Sequence, residues 1–225
     1  TTVQEDLRFR NQELNTLFRY SGLEDIFGNF ESVLQLSENI NEVALVPGHG
    51  EFARAIMRRA YSAEKFYRAL RTPFNENYKP QHILSAVQWY RSPLGKKILR
   101  YENEANNPEN QFAMELFAEK LLNTPPGERR ISLIEKIERS SGMTEAGKAL
   151  YVGYVKLMYP FNKNIQGKSL GKFLKIMKEN ITEPMREIIL RGLLYSYKDI
   201  TDRELEKYAG FLNSGAGRWL SQMTL

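Results

Sequence analysis

The chain reads as an all-α protein, a multi-helix bundle built from two similar halves joined by tight helix–helix corners. Three observations lead there. Apolar residues recur at three- and four-residue spacing along nearly every segment, and no stretch shows the β-branched alternation of a strand. The run Trp89-Tyr90-Arg91-Ser92-Pro93-Leu94-Gly95-Lys96-Lys97 returns in weaker form as Phe211-Leu212-Asn213-Ser214-Gly215-Ala216-Gly217-Arg218-Trp219. Both Ser92 and Ser214, and Gly95 and Gly217, stand 122 positions apart. In each copy a helix ending in large apolar residues meets a serine suited to cap the next helix, because its hydroxyl accepts from a first-turn N–H. Pro93 suits the first helical position, where its missing N–H costs nothing. The glycine three places after the cap lets the two helices approach closely. Ser92, Pro93, Gly95, Ser214 and Gly217 are therefore read as the structural corner.

In order along the chain, residues 3 to about 20 carry Val3, Leu7, Leu14, Leu17 and Phe18 on one helical face, ended by Ser21-Gly22. A second helix is expected from Leu23 to about Ala44, with Ile26, Phe30, Val33, Leu34 and Ile40. Pro47-Gly48-His49-Gly50 is a turn. One long helix should follow through Phe52, Ile56, Ala60, Ala63, Tyr67 and Leu70, broken between Thr72-Pro73 and Lys79-Pro80. The corner helices come next, then a loop at Ala105–Pro108 and a short helix through Phe112, Leu116 and Leu121. Thr124-Pro125-Pro126-Gly127 is the strongest mid-chain punctuation.

It divides residues 1–122, a first helical half, from residues 123–225, a diverged copy packed with it as one body. Ile134, Ile137, Arg139, Ser141-Gly142 and Met143 stand 120 positions after Leu14, Leu17, Arg19, Ser21-Gly22 and Leu23. Such a period far exceeds that of solenoid repeats. Pro160 should end the helix through Val152 and Met158, and Pro184 should kink or split the stretch from Leu170 to Leu193. Thr201-Asp202-Arg203-Glu204 is a capping box.

The apolar share of 42% allows a sizeable core. With no cysteine, disulfides, thiol nucleophiles and cysteine-based zinc sites are excluded. The formal charge of +5 and pI near 9.2 favour encounters with anionic surfaces. The longest apolar run, Ala149 to Phe161, is interrupted by Lys156 and too short to span a bilayer, so no transmembrane segment is expected. A start at Thr1 with polar and charged residues behind it fits a mature form whose signal peptide was removed, and equally a trimmed chain.

Chemistry is harder to find. Trp89, Tyr90, Arg91, Lys96 and Lys97 offer aromatic and cationic groups beside a helix N-terminus, a candidate binding set, although each has a sufficient structural role. Lys168, Lys172 and Lys175, with Lys178, fall on one helical arc and form a second candidate, for anionic polymer or lipid. His49 and His82 are the only histidines, without a metal-ligand pattern, so no metal or cofactor is expected. Gly167–Lys172 fails as a phosphate loop, with three residues between its glycines and Phe173 in place of Ser or Thr. Glu31-Ser32 lacks the companion segment of wall-cleaving transglycosylases. The corner's second helix is too apolar to expose in a DNA groove, so nucleic acid is not an expected partner.

The run Trp89 to Lys97 resembles the Phe-Tyr-x-Ser-Pro-x-Gly-x-Lys signature of a bacterial envelope family, domain of unknown function 2059. The helical setting from about residue 50 to 105 agrees with it. The second copy departs from the signature, with Leu212 for Tyr and Gly215 for Pro. The resemblance implies an all-helical, exported, periplasmic protein and carries over no catalytic residue. The expected function is a non-catalytic protein-interaction or binding module with an envelope protein as partner. The alternatives are a carrier holding an apolar or anionic ligand between helices, and a hydrolase assembled only in three dimensions.

Overall fold

Helix caps and breakers set the architecture. The computed structural model describes residues 3–25, 46–60, 62–164, 167 and 169–224, and among these every regular element is helical. They are α1 (Val3–Tyr20), α2 (Gly50–Ala60), α3 (Ala63–Glu76), α4 (Pro80–Arg91), α5 (Pro93–Ala105), α6 (Gln111–Asn123), α7 (Glu128–Ser141), α8 (Met143–Met158), α9 (Leu170–Ser196), α10 (Asp202–Leu212) and α11 (Gly215–Thr224). Single 3₁₀ turns at Pro108–Asn110 and Tyr159–Phe161 connect α5 to α6 and close α8. The helix expected from Leu23 to Ala44 lies, beyond residue 25, outside the described residues, as does Glu31.

One expectation is corrected and two are sharpened. The long helix through Phe52 and Leu70 is two helices, because Ser62 turns to extended backbone and caps α3 through the Lys65 N–H. The break expected between Thr72-Pro73 and Lys79-Pro80 falls at Asn77–Lys79, since α4 starts at Pro80 and α3 runs through Pro73 to Glu76. There Phe74 is wholly buried, edge-on to Phe18 at 5.0 Å and to Trp219 at 5.4 Å, and that packing outweighs one lost backbone bond. α9 is continuous over 27 residues, and of the kink or split expected at Pro184 the split is absent. Just beyond it, Met185 and Ile189 seat against Gly147 of α8.

On α1, Leu14, Leu17 and Phe18 are buried but Leu7 is exposed, as is Phe9. α1 has 18 residues and its partner α4 only 12, so the longer helix overhangs. α1 and α7 end in the same way, at Gly22 (φ 75°) and Gly142 (φ 70°), a left-handed conformation that favours glycine. The capping box forms: Thr201 Oγ1 accepts from the Glu204 N–H, and a Glu204 carboxylate oxygen accepts from the Thr201 N–H.

One main core draws on both halves. α1 packs on α4, α7 on α10, and α11 on α4. Leu14, Leu17 and Ile98 from one half meet Ile134, Ile137 and Leu205 from the other, all essentially without solvent contact. Full burial of each such side chain contributes about 1.5–3 kcal/mol. α2 stands apart on a satellite cluster of Ala53 and Met57 against Met158 and Phe161.

Candidate functional site

The two corners meet through their aromatic side chains. Trp89 lies parallel to Phe211, ring centroids 4.7 Å apart, and parallel to Tyr208 at 6.1 Å. Tyr90 is buried and meets Phe211 edge-on. Ser92 Oγ donates to the Trp89 carbonyl (2.6 Å) and accepts from the Gly95 N–H (3.0 Å), while the Lys96 N–H donates to the Ser92 carbonyl. Ser214 Oγ accepts from the Gly217 N–H at 3.1 Å, and the Arg218 N–H donates to the Ser214 carbonyl. These amides, which an anion would need, are engaged by the corners themselves. A Cβ on Gly95 would stand 2.2 Å from the Trp89 carbonyl oxygen, and one on Gly217 2.1 Å from that of Phe211.

The cationic candidates of the corner part company. Lys97 reaches across to α10, where its ammonium donates to both Glu204 carboxylate oxygens at 2.9 and 3.0 Å. Arg91 is exposed and lies over the Tyr20 ring. Lys96 is exposed beside a cleft it shares with Leu99, Arg100 and Asn103. Lys97, then the Thr201 N–H and hydroxyl, hold the Glu204 carboxyl down to about 2. A carboxyl lowered by folding stabilises the fold above its unfolded value near 4.5, and that contribution is lost as pH falls toward 2. Glu204→Gln keeps the cap and loses the ion pair. Its thermal melting should lie below the parent's at pH 7, with the gap closing as pH falls from 4.5 to 2; a gap independent of pH would contradict this role.

A buried carboxyl cluster gave no sign in the sequence. Glu102 of α5 accepts at one oxygen from the Tyr197 hydroxyl (2.5 Å) and from the Tyr208 hydroxyl (3.0 Å). Burial pushes the Glu102 carboxyl up, partly offset by those two donors. Burial likewise raises the Tyr90, Tyr197 and Tyr208 hydroxyls. The partners stand 95 and 106 positions from Glu102, and no local spacing could reveal them.

The clefts are open, and two of them, between helices, are lined mostly by polar residues. One of about 460 Å³ lies between α1 and α3, lined by Gln12, Asn15, Thr16, Arg19, Tyr67 and Arg71. Its Arg71 guanidinium donates to Asn15, Tyr67 and Asn11. A second, about 310 Å³, is bounded by Tyr101, Glu104, Asn110, Tyr195 and Lys198. His49 is exposed near the Pro47 carbonyl, and His82 packs on Trp219, so the two histidines sit in separate settings. Among the described residues no three His, Asp or Glu side chains gather closely enough to hold a metal ion, and no helix is long and apolar enough to cross a membrane.

Of the second cationic candidate, Lys172 and Lys175 are exposed on α9, and Lys168 lies outside the described residues. α6 presents a different surface. Its inner face sets Phe117 edge-on to Tyr195 of α9, with Met114, Ala118 and Leu121 partly buried alongside. Its outer side carries Phe112, 70% exposed, and Leu116, 50%, one helical turn apart; Leu122, 85% exposed, lies six residues further along, near the helix end. The sequence places Phe112, Leu116 and Leu121 on one helix; the structure puts the first two outward and the third inward.

A family model described as an uncharacterized protein conserved in bacteria (DUF2059) matches residues 64–122. The match covers α4, α5 and nearly all of α3 and α6, about a quarter of the chain. No curated protein and no solved structure matches. Over that segment, corner and α6 included, the chain is similar to this bacterial family.

Proposed function

We propose that the chain is a non-catalytic helical module of the bacterial periplasm that binds an envelope protein through the outer face of α6. The observation that carries this reading is that α6 has apolar side chains on both faces, while among the described residues only one face has a partner in the fold. Phe112 and Leu116 stay exposed on the outer face beside Glu115 and Glu119, and exposed apolar side chains rimmed by polar ones are the kind of surface that marks a protein contact. The periplasmic location rests on the resemblance of Trp89 to Lys97 to an envelope family. The carrier reading stands second, because a carrier needs an enclosed site and the clefts described are open.

We also read the two halves as diverged copies of one unit. Ile83 and Leu205, Ile98 and Leu220, and Gly95 and Gly217 are pairs of buried positions at one separation of 122. Trp89 and Phe211 hold the same separation and stack on each other, as residues beside a twofold axis do.

The test is capture from a bacterial envelope extract on the immobilised parent and on a Phe112→Glu, Leu116→Glu variant. Both sites are exposed, so the variant's stability should stay within about 0.5 kcal/mol per site. The parent should retain a protein at high salt that the equally stable variant loses. Identical bound sets, or none, would sink the proposal.

A further inference from the structure

We infer that the lobe formed by α2, α8 and the first half of α9 is a docking surface for an anionic lipid bilayer. The lobe is set apart in packing. The main core takes nothing from α2 or from residues 170–183, and from α8 only Met143 at its edge. It is also set apart in charge. Residues 46–60, 143–164 and 170–183 hold nine Lys and Arg against four Glu, a net +5. That equals the formal charge of the whole chain, so the remaining three quarters are neutral in sum. The same lobe leaves Phe52, Leu150, Tyr151 and Ile176 exposed, because its own small cluster covers only part of its apolar surface.

A lobe that exposes large apolar side chains along with cationic ones, as Ile176 among Lys172, Lys175 and Lys178, matches an interfacial membrane contact: the charges meet headgroups and the apolar groups enter the acyl boundary. An anionic polymer would use the cations but would give Leu150 and Ile176 nothing to bury against. The site is distinct from the α6 face. Ile176 and Tyr195, where α6 docks, lie 19 residues apart on α9, roughly 30 Å along the helix. α9 is then a strut with lipid at one end and the α6 face held away from it at the other.

The test is flotation of the full chain with vesicles of phosphatidylcholine alone and of phosphatidylcholine with phosphatidylglycerol. The chain should float only with the anionic vesicles. Lys172→Glu, Lys175→Glu, Lys178→Glu should weaken this on the order of a hundredfold. Lys79→Glu, Lys136→Glu, Lys207→Glu, an equal charge change in the neutral remainder, should leave it within a few fold. Leu150→Ser, Ile176→Ser should lose binding with all cations in place. Equal loss in the two triple variants would reduce the effect to net charge and overturn the inference. Unchanged vesicle binding by the serine variant would make the surface a site for anionic polymer and overturn it too, as would no flotation at all. None of these outcomes depends on α6.

Discussion

Gly217→Ala should lower the stability of the whole protein by about 3 kcal/mol, a fall in melting temperature of roughly 6–12 °C. The added methyl carbon would stand 2.1 Å from the Phe211 carbonyl oxygen and 2.6 Å from the Leu212 Cα, so the obstacle is backbone. No rotamer change relieves it; α10 and α11 must part. Parting them moves Phe211 off Trp89 and Trp219 off its hydrogen bond to the Asn77 carbonyl, two of the ties between the halves. Gly95→Ala should act alike, since its Cβ meets the Trp89 carbonyl at 2.2 Å. Gly210→Ala supplies the control. That glycine is exposed within α10 with open space around it, so the same substitution should stabilise by about 0.5–1 kcal/mol. Differential scanning calorimetry on the three variants checks the signs. Equal melting temperatures for Gly217→Ala and the parent would mean that the corners are not close-packed joints.

Glu102→Ala should cost about 2–4 kcal/mol, because it removes the carboxylate acceptor that the buried Tyr197 and Tyr208 hydroxyls share. Glu102→Gln retains an acceptor oxygen and should cost much less. Its pH dependence separates the two causes. Folding raises the Glu102 carboxyl above its ordinary 4.5, so the fold favours the protonated form. The parent is favoured by this group at low pH and loses that advantage as pH rises through 4.5 toward the raised value. Glutamine does not titrate, so its melting temperature should gain on the parent's over that range. The trend opposes that of Glu204, which weakens the fold only below 4.5. Urea unfolding of both variants across pH 4 to 8 decides the matter, and a Glu102→Gln curve parallel to the parent's would show that the carboxyl is not buried as described.

Features written in adjacent residues were legible in advance. Ser92-Pro93 and its glycine specify a cap, a first helical residue and a close approach within four positions. Thr201 and Glu204 satisfy each other over one turn, and Ser21-Gly22 ends α1 through one residue with positive φ. Features resting on distant partners were not. Pro184 reads as a kink or split, and Thr72-Pro73 as the start of a breaking segment, because a proline's cost is local, while the packing that carries the helices past them comes from Phe18, Trp219 and α8. Lys97 read as a candidate ligand for anions, and its partner Glu204 lies 107 positions away. α6 lay between. Its composition says that it is apolar, but which face stays open follows only from where α9 lies.

The central claim is that this open face of α6 is where a protein docks. The most direct measurement places a photo-crosslinking residue at Leu116 or, as control, at exposed Ser85 of α4, irradiates cells making each variant, and identifies the adducts by mass spectrometry. The account predicts one discrete protein adduct from position 116, absent from position 85. Adducts shared by both positions, or none from position 116, would contradict it.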